Sequence, residues 1–198
     1  GMRGSQSCTT LLEGAHAPAS RLLGVFPPGP AMEPVLFGIF ANFEILVAAV
    51  YTGIGRRALD LAIETVKTRT SRANGGAPYS NDPLIRRRIA SAAVALDGIY
   101  PQIASLSDDV ASFSPERHGA LWYPKLSALK VRATEVAKDV VEEAVRASGG
   151  SSFYTKNELS RLYREVLAGI FHPSDDESLL GAWANAMLGP VQEWPPAE

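Results

Sequence analysis

From Pro34 to about Arg72, Leu36, Ile39, Phe40, Phe43, Leu46, Val47, Val50 and Ile54 recur at spacings of three and four, the period of a helix face. Ala48, Ala49, Gly53 and Gly55 are small and allow a neighbouring helix to come close. Asn74-Gly75-Gly76-Ala77-Pro78 ends this helix in a loop. Asp82 as N-cap and Pro83 in the first turn open a second helical pattern that runs to about Ser112. Its stripe is Leu84, Ile85, Ile89, Ala92, Ala93 and Leu96, and Pro101 predicts a kink or break inside it. A third long helix is predicted from about Leu121 to Ser148, with Leu126, Leu129, Val136, Val140, Val141 and Val145 inward. A fourth covers about Lys156 to Phe171. A fifth covers about Asp175 to Leu188, with Ser174 as its N-cap and Asp175, Asp176 and Glu177 in the turn where the helix dipole favours acids. Short connections make successive helices antiparallel, so the fold class is all-α, an up-down-up-down four-helix bundle.

The two ends of the chain depart from this pattern. Thr9–Glu13 and Arg21–Gly24 read as two short extended pieces, too little for a stable sheet, and fit the remnant of a larger β structure. Pro27-Pro28-Gly29-Pro30 is a linker, and Pro195-Pro196 marks a frayed tail. The chain therefore divides into a β remnant and linker over 1–30, a helical bundle over 31–190 and a tail over 191–198.

Composition narrows the function classes. The chain has 198 residues, 46% apolar and 20% charged, which is ordinary for a folded domain with a sizeable core. With 21 acidic and 19 basic residues the net charge is −2, so no basic excess favours nucleic acid. The single cysteine, Cys8, cannot form an intrachain disulfide and fits a reducing, cytoplasmic setting. No uninterrupted apolar run reaches the roughly 18 residues that cross a bilayer, so no membrane partner is expected.

Candidate chemistry is sparse. No phosphate-binding glycine loop, Cys-x-x-Cys, Gly-x-Ser-x-Gly or Glu-x-x-His pair occurs, and His16, His118 and His172 are far apart in sequence. Most basic runs are solvated faces, and Arg86-Arg87-Arg88 has that reading beside an anion contact. A diffuse anion-binding pattern remains in Arg69, Arg146 and the Gly149-Gly150 pair, whose backbone N–H groups are available to a phosphate. The plainer reading is a glycine helix stop with surface arginines. A histidine placed like His172, before Pro173 in a loop after a helix, is more often a surface or capping residue than a catalyst.

Several segments, in order, resemble the acyl-CoA dehydrogenase family. Gly1 to Glu13 with Ala17-Pro18 is similar to the end of its middle β domain. Gly53-Ile54-Gly55-Arg56-Arg57-Ala58-Leu59-Asp60 resembles the first long helix of its C-terminal bundle. Arg146-Ala147-Ser148-Gly149-Gly150 looks like its Q-x-x-G-G, and Leu159-Ser160-Arg161-Leu162-Tyr163-Arg164-Glu165 its L-E-R-x-x-R-D helix. The resemblance implies FAD as cofactor, with Arg69, Arg146, Gly149 and Gly150 at its phosphate or adenine side. It also implies a homodimer or homotetramer, an acyl-CoA substrate and an electron-transfer flavoprotein. The usual catalytic glutamate falls on Pro173. A second subgroup's glutamate falls on Phe43, one position before Glu44, and one residue turns a helix by about 100°. Monooxygenases of the same fold have a histidine where His172 stands, and an imidazole can act as acid or base near neutral pH.

Three readings follow: an acyl-CoA dehydrogenase-like enzyme with Glu44 as candidate base, a flavin-dependent monooxygenase with His172 as acid/base, and a catalytically silent oligomerisation bundle. The resemblance makes the chain roughly half of a catalytic subunit and inactive alone. The 198-residue chain by itself is expected to bind no flavin stoichiometrically; a purified protein that is yellow with bound FAD would overturn this.

Overall fold

The computed structural model describes residues 2–5, 7–27, 32–73 and 75–191. Helix α1 spans Pro34–Thr68, α2 Pro83–Asp97, α3 Tyr100–Ala111, the single turn α4 Pro115–His118, α5 Trp122–Ser148, α6 Glu158–Val166 and α7 Asp176–Leu188. The all-α bundle follows the expected order, with α1 and α5 as its axis and α2, α3, α6 and α7 packed around them. The predicted tail lies outside the described residues except for Val191.

Local chemistry accounts for the boundaries. Asp82 Oδ1 accepts the N–H of Leu84 at 2.8 Å and of Ile85 at 3.2 Å, capping α2. Pro101 has no N–H to continue the ladder, and the helix breaks at Gly98-Ile99, restarting as α3. Gly149, at φ +77°, ends α5 in the left-handed region where a side chain would be strained. Asn157 caps α6 through the Leu159 N–H at 2.9 Å. The N-cap of α7 is Asp175, which accepts the Ser178 N–H at 2.8 Å, and not Ser174, whose hydroxyl is engaged elsewhere.

The seam between α1 and α5 is built from small residues. Ala41, Ala48, Ala58 and Ala62 are buried on α1, and Ala133, Ala137 and Ala144 on α5. A Cβ added at Gly55 would lie 3.3 Å from the Ala137 Cα, so the two backbones are close there. Gly53, in contrast, faces open space. The large apolar residues of α1 consequently fall on two faces. Phe37 and Tyr51 point inward, whereas Ile39, Phe43, Leu46 and Val50 are exposed, Ile39 by 65%. The predicted stripe is therefore split: Phe40, Val47 and Ile54 pack against the core, and Ile39, Phe43, Leu46 and Val50 do not. Leu84 on α2 is likewise exposed, while Leu126, Leu129, Val140 and Val141 of α5 are buried as expected. At one end Phe37, Phe113 and Trp122 form an aromatic cluster, with the Phe37 and Trp122 rings edge to face at 5.2 Å.

Two further features bear on the expectations. Among the described residues 2–27 there is no strand, only two short 3-10 turns, and Leu11, Leu12, Leu22 and Leu23 are exposed. No neighbouring strand is present among them to pair the backbone. Second, α1 and the stretch Pro83–Ala111 are each long and apolar enough to cross a bilayer by length and composition, criteria that core helices of a bundle also meet. Glu44 is the one charged residue between Pro34 and Gly55, and here it is buried against protein. The arginine run is engaged in part: Arg88 Nη1 donates to Glu143 at 2.8 Å and Arg86 Nη1 to the Ser80 carbonyl at 3.1 Å.

The seam makes a stability prediction. Gly55→Leu forces α1 away from α5 and should destabilise the bundle by about 1–3 kcal/mol, read from urea unfolding, whereas Gly53→Leu, facing open space, should have a much smaller effect.

Candidate functional site

The Gly149-Gly150 pair and His172 lie at two separate places, at opposite ends of α6. Nine residues of α6 and the following 3-10 turn Leu167–Ile170 separate them by about 20 Å.

At the first place, Arg69 leaves the end of α1 and its Nη1 donates to the Ser148 carbonyl at 2.7 Å and to Ser151 Oγ at 2.8 Å. Its guanidinium lies over the Tyr79 ring, 5.5 Å from the centroid. A loop aligns it: the Tyr79 N–H donates to the Arg69 carbonyl at 2.8 Å and the Ser71 N–H to the Ala77 carbonyl at 3.0 Å. Gly149 has the left-handed conformation, and a Cβ at Gly150 would meet no atom within 4 Å. Arg69, Gly149 and Gly150 are thus brought together, as the sequence suggested. Arg146 does not join them. It lies on α5 with Nε donating to Glu142 Oε1 at 2.9 Å. On α6, Arg161 pairs with Glu158 and Glu165, and Arg57 of α1 ties to Glu158 at 2.8 Å, which docks the helix.

At the second place, the segment from Gly169 to Asp175 crosses over α1 and α5. Gly169 fits because a Cβ there would lie 2.8 Å from Thr134 Cγ2 and 2.9 Å from Tyr51 Cε1. His172 is half-buried, its ring 5.8 Å from that of Tyr51. Beneath it lie two buried charges, Glu44 at 0% exposure and Lys130 at 1%. Lys130 Nζ donates to the carbonyls of Gly169 at 2.7 Å, Ser174 at 2.9 Å and His172. Glu44 Oε1 accepts the Ser174 N–H at 3.1 Å and the Ser174 hydroxyl at 2.8 Å, and Ser127 Oγ donates to Ser174 Oγ at 2.9 Å. Glu44 Oε2 and the Tyr51 hydroxyl are buried with no hydrogen-bond partner among the described residues.

Burial sets the electrostatics. It pushes the Glu44 carboxyl above the usual carboxylate range, against the Ser174 hydrogen bonds and the Lys130 charge. It lowers Lys130, against the carboxylates of Glu44, Asp175, Asp176 and Glu135. It also lowers His172, with a smaller contribution from Lys130, so the imidazole is neutral near pH 7 and able to accept a proton. Glu44 and His172 are therefore brought to one place, but Glu44 faces the interior while Phe43 beside it is 41% exposed. Lys130 and Tyr51 were not singled out in the sequence, and Ser174 only as a helix cap. The available signal was a lysine on the helical face that also carries Leu126, Ala133 and Ala137. Among the described residues no His, Cys, Asp and Glu cluster could hold a metal ion.

A helical bundle with a glycine-ended central helix, an arginine bonded across that end and a histidine loop beyond the next helix defines a recognisable class of domain. The chain belongs to the acyl-CoA dehydrogenase family: residues 45–176 match the family's C-terminal domain. An amino sugar nitrososynthase of Streptomyces peucetius is 28% identical over 181 residues, covering 87% of this chain and 42% of the relative. The human mitochondrial short-chain specific acyl-CoA dehydrogenase is 27% identical over 169 residues, 84% of this chain and 37% of the relative. Among solved structures, the flavoprotein nitroalkane oxidase shares the fold with a TM-score of 0.69 at 18% identity, over 82% of this chain and 37% of that one. The chain thus spans about two-fifths of the length of the curated relatives it matches.

The buried carboxyl makes a pH prediction. The native state keeps a proton on Glu44 above pH 4.5, where the unfolded chain has lost it, so this group's stabilising contribution is full below that value and declines as pH rises through the raised native pKa. Glu44→Gln keeps an oxygen acceptor for Ser174 and removes the charge. Relative to wild type, the variant's stability should be level below about pH 4.5, rise with pH above it, and level off once the raised native pKa of Glu44 is passed. A difference that stays flat with pH in urea titrations would refute the assignment.

Proposed function

We propose that this chain is the C-terminal part of a flavin-dependent oxidoreductase in which His172, rather than a carboxylate, moves the proton. The observation that carries the reading is the half-buried His172 imidazole, held on an anchored loop and kept neutral by burial. The two positions where the resemblance puts a catalytic glutamate hold Pro173 and Phe43. Glu44, the nearby carboxylate, is buried and hydrogen-bonded to Ser174.

The residues fit FAD at its anionic part. Gly149 is in the left-handed conformation, Gly150 has open space beside it and the Arg69 guanidinium is bonded across the helix end. Arg69 and the Gly150 N–H would face a pyrophosphate there, while the Gly149 N–H already donates to the Val145 carbonyl at 3.0 Å. Arg146 would contribute only by leaving Glu142. Bound flavin supplies the electron transfer. The protein's part is to place His172 so that a ring nitrogen accepts the proton from the reacting C–H or N–H and returns it later in the cycle.

Oxygenation with reduced flavin and dioxygen suits this arrangement best, and a similar protein is named an amino sugar nitrososynthase, which points to an amine as the group oxidised. Dehydrogenation of an acyl-CoA, with electrons passed to an electron-transfer flavoprotein, has the human short-chain enzyme on its side. That reading needs a base that Phe43 and Pro173 do not supply, and would require Glu44 to leave its buried position. The exposed stripe Ile39, Phe43, Leu46 and Val50 fits burial in a homodimer or homotetramer.

The test uses the full-length, flavin-loaded protein, assayed with amino sugars, reduced flavin and oxygen, then with acyl-CoA and an artificial acceptor. His172→Asn should lower turnover by about 10²–10⁴-fold and retain the visible flavin spectrum. Unchanged turnover would exclude His172, and no turnover of either substrate by the wild type would leave the silent bundle as the reading.

A further inference from the structure

We propose that Lys130 is the positioning residue for His172, acting as a buried cationic clamp that shapes the loop from Gly169 to Ser174, with Glu44 as its counter-anchor. The proposal rests on the reading of His172 as the proton-moving group.

A lysine at 1% exposure is unusual, because an ammonium group loses its hydration unless every N–H finds an acceptor. Lys130 has three N–H donors and meets three carbonyls, those of Gly169, His172 and Ser174. All three come from one six-residue segment. The loop is therefore wrapped around the cation, and its path is dictated by the position of Nζ.

An ordinary lysine at a helix end would bond the last carbonyls of that helix and nothing more. The Gly169 carbonyl fits that description, since it belongs to the turn that closes α6. The other two carbonyls do not. His172 contributes its own carbonyl, and Ser174 lies beyond it. On the other side of the loop, Glu44 Oε1 takes both the N–H and the hydroxyl of Ser174, at 3.1 Å and 2.8 Å, and Ser127 adds a bond to the same hydroxyl at 2.9 Å. His172 thus stands between two anchored residues, with its own backbone anchored as well. What freedom remains is that of its side chain, which lies against Tyr51. Such hydrogen bonds to a charged group are among the stronger ones in proteins, and their loss leaves buried carbonyls unpaired.

Lys130 also acts on the imidazole through its charge, which favours the neutral ring. The ionisable groups around this loop are Tyr51 and Glu44 from α1, Lys130 and Glu135 from α5, and Asp175 and Asp176 at the start of α7. Lys130 is the cation among them. Its removal should therefore raise the His172 pKa, an effect that a purely structural role would not specify in sign.

The experiment is NMR on the 198-residue chain and on the full-length protein, with wild type, Lys130→Met, Lys130→Arg and Ser174→Ala. In wild type, the Lys130 ammonium protons should exchange slowly and show contacts to residues 169–174; their absence would overturn the proposal even if no variant folds. In Lys130→Met, the Ser174 amide should exchange at least about tenfold faster and the His172 titration should move up in pH. Lys130→Arg, keeping the charge, should restore the titration in part. Ser174→Ala should speed exchange of the loop and leave the Lys130 charge effect on His172 in place. An unmoved titration and unchanged exchange in Lys130→Met would sink the clamp, whatever His172→Asn does to turnover. A freed loop and shifted titration with undiminished turnover in the full-length protein would leave the clamp standing and remove His172 from the reaction.

Discussion

The close approach of α1 and α5 is the constraint on which the rest of the molecule depends. Alanines line the seam on both helices, and Gly55 brings one backbone to within 3.3 Å of where a side chain would touch the other. At the closest approach only small side chains fit, and larger buried residues such as Leu129 and Val141 cluster with the seam alanines. The aromatic cluster of Phe37, Phe113 and Trp122 closes one end. The same approach brings Glu44 and Lys130, one from each helix, under a single loop. A wider seam would admit water between them and dissolve the polar cluster that anchors residues 169–174.

The buried polar cluster is also where the fold carries its expense. Glu44 and Lys130 form no short-range pair with each other; each is satisfied chiefly through the loop, Lys130 by carbonyls and Glu44 by Ser174. Glu44 Oε2 and the Tyr51 hydroxyl remain without partners among the described residues. Buried polar groups in such a state weaken a core rather than strengthen it. Ser148 Oγ is a further buried atom of this kind, away from the loop, so what sets this place apart is the pair of charged side chains gathered beneath it. The bundle end at Gly149 is simpler, a helix stop whose open space and bridging arginine suit an anion.

The exposed apolar stripe of α1 and the polypeptide present in the relatives but not in this chain belong together in any account of assembly. Ile39, Phe43, Leu46 and Val50 form an exposed apolar stripe along α1. In the family to which the chain belongs, the bundle is one part of a larger protein, and about three-fifths of each curated relative lies outside the match. An apolar face on the central helix of a bundle is a natural contact for such additional mass or for a second subunit.

Much of the secondary structure was legible in the sequence because its causes are local. Asp82-Pro83 caps a helix wherever it occurs, Pro101 interrupts one, and Gly149 stops one, since each acts through its own backbone. The Arg69 and Gly149 meeting was legible too, through the order of motifs that marks the family. The faces were not. An apolar period of three and four shows that α1 is a helix, but α1 is apolar nearly all round, and only the partner helix decides which residues are inside. The N-cap of α7 was misplaced by one residue because Ser174 bonds to Glu44, 130 residues earlier, an interaction no local rule contains. The sequence by itself determined the helices, their order and the family. The tertiary structure alone decided which small residues form the seam, with Gly55 inside it and Gly53 outside, that Glu44 turns inward while Phe43 turns out, and that Lys130 gathers the loop of His172. Hydrogen bonds between residues distant in sequence follow from packing in space, and periodicity along the chain carries no record of them.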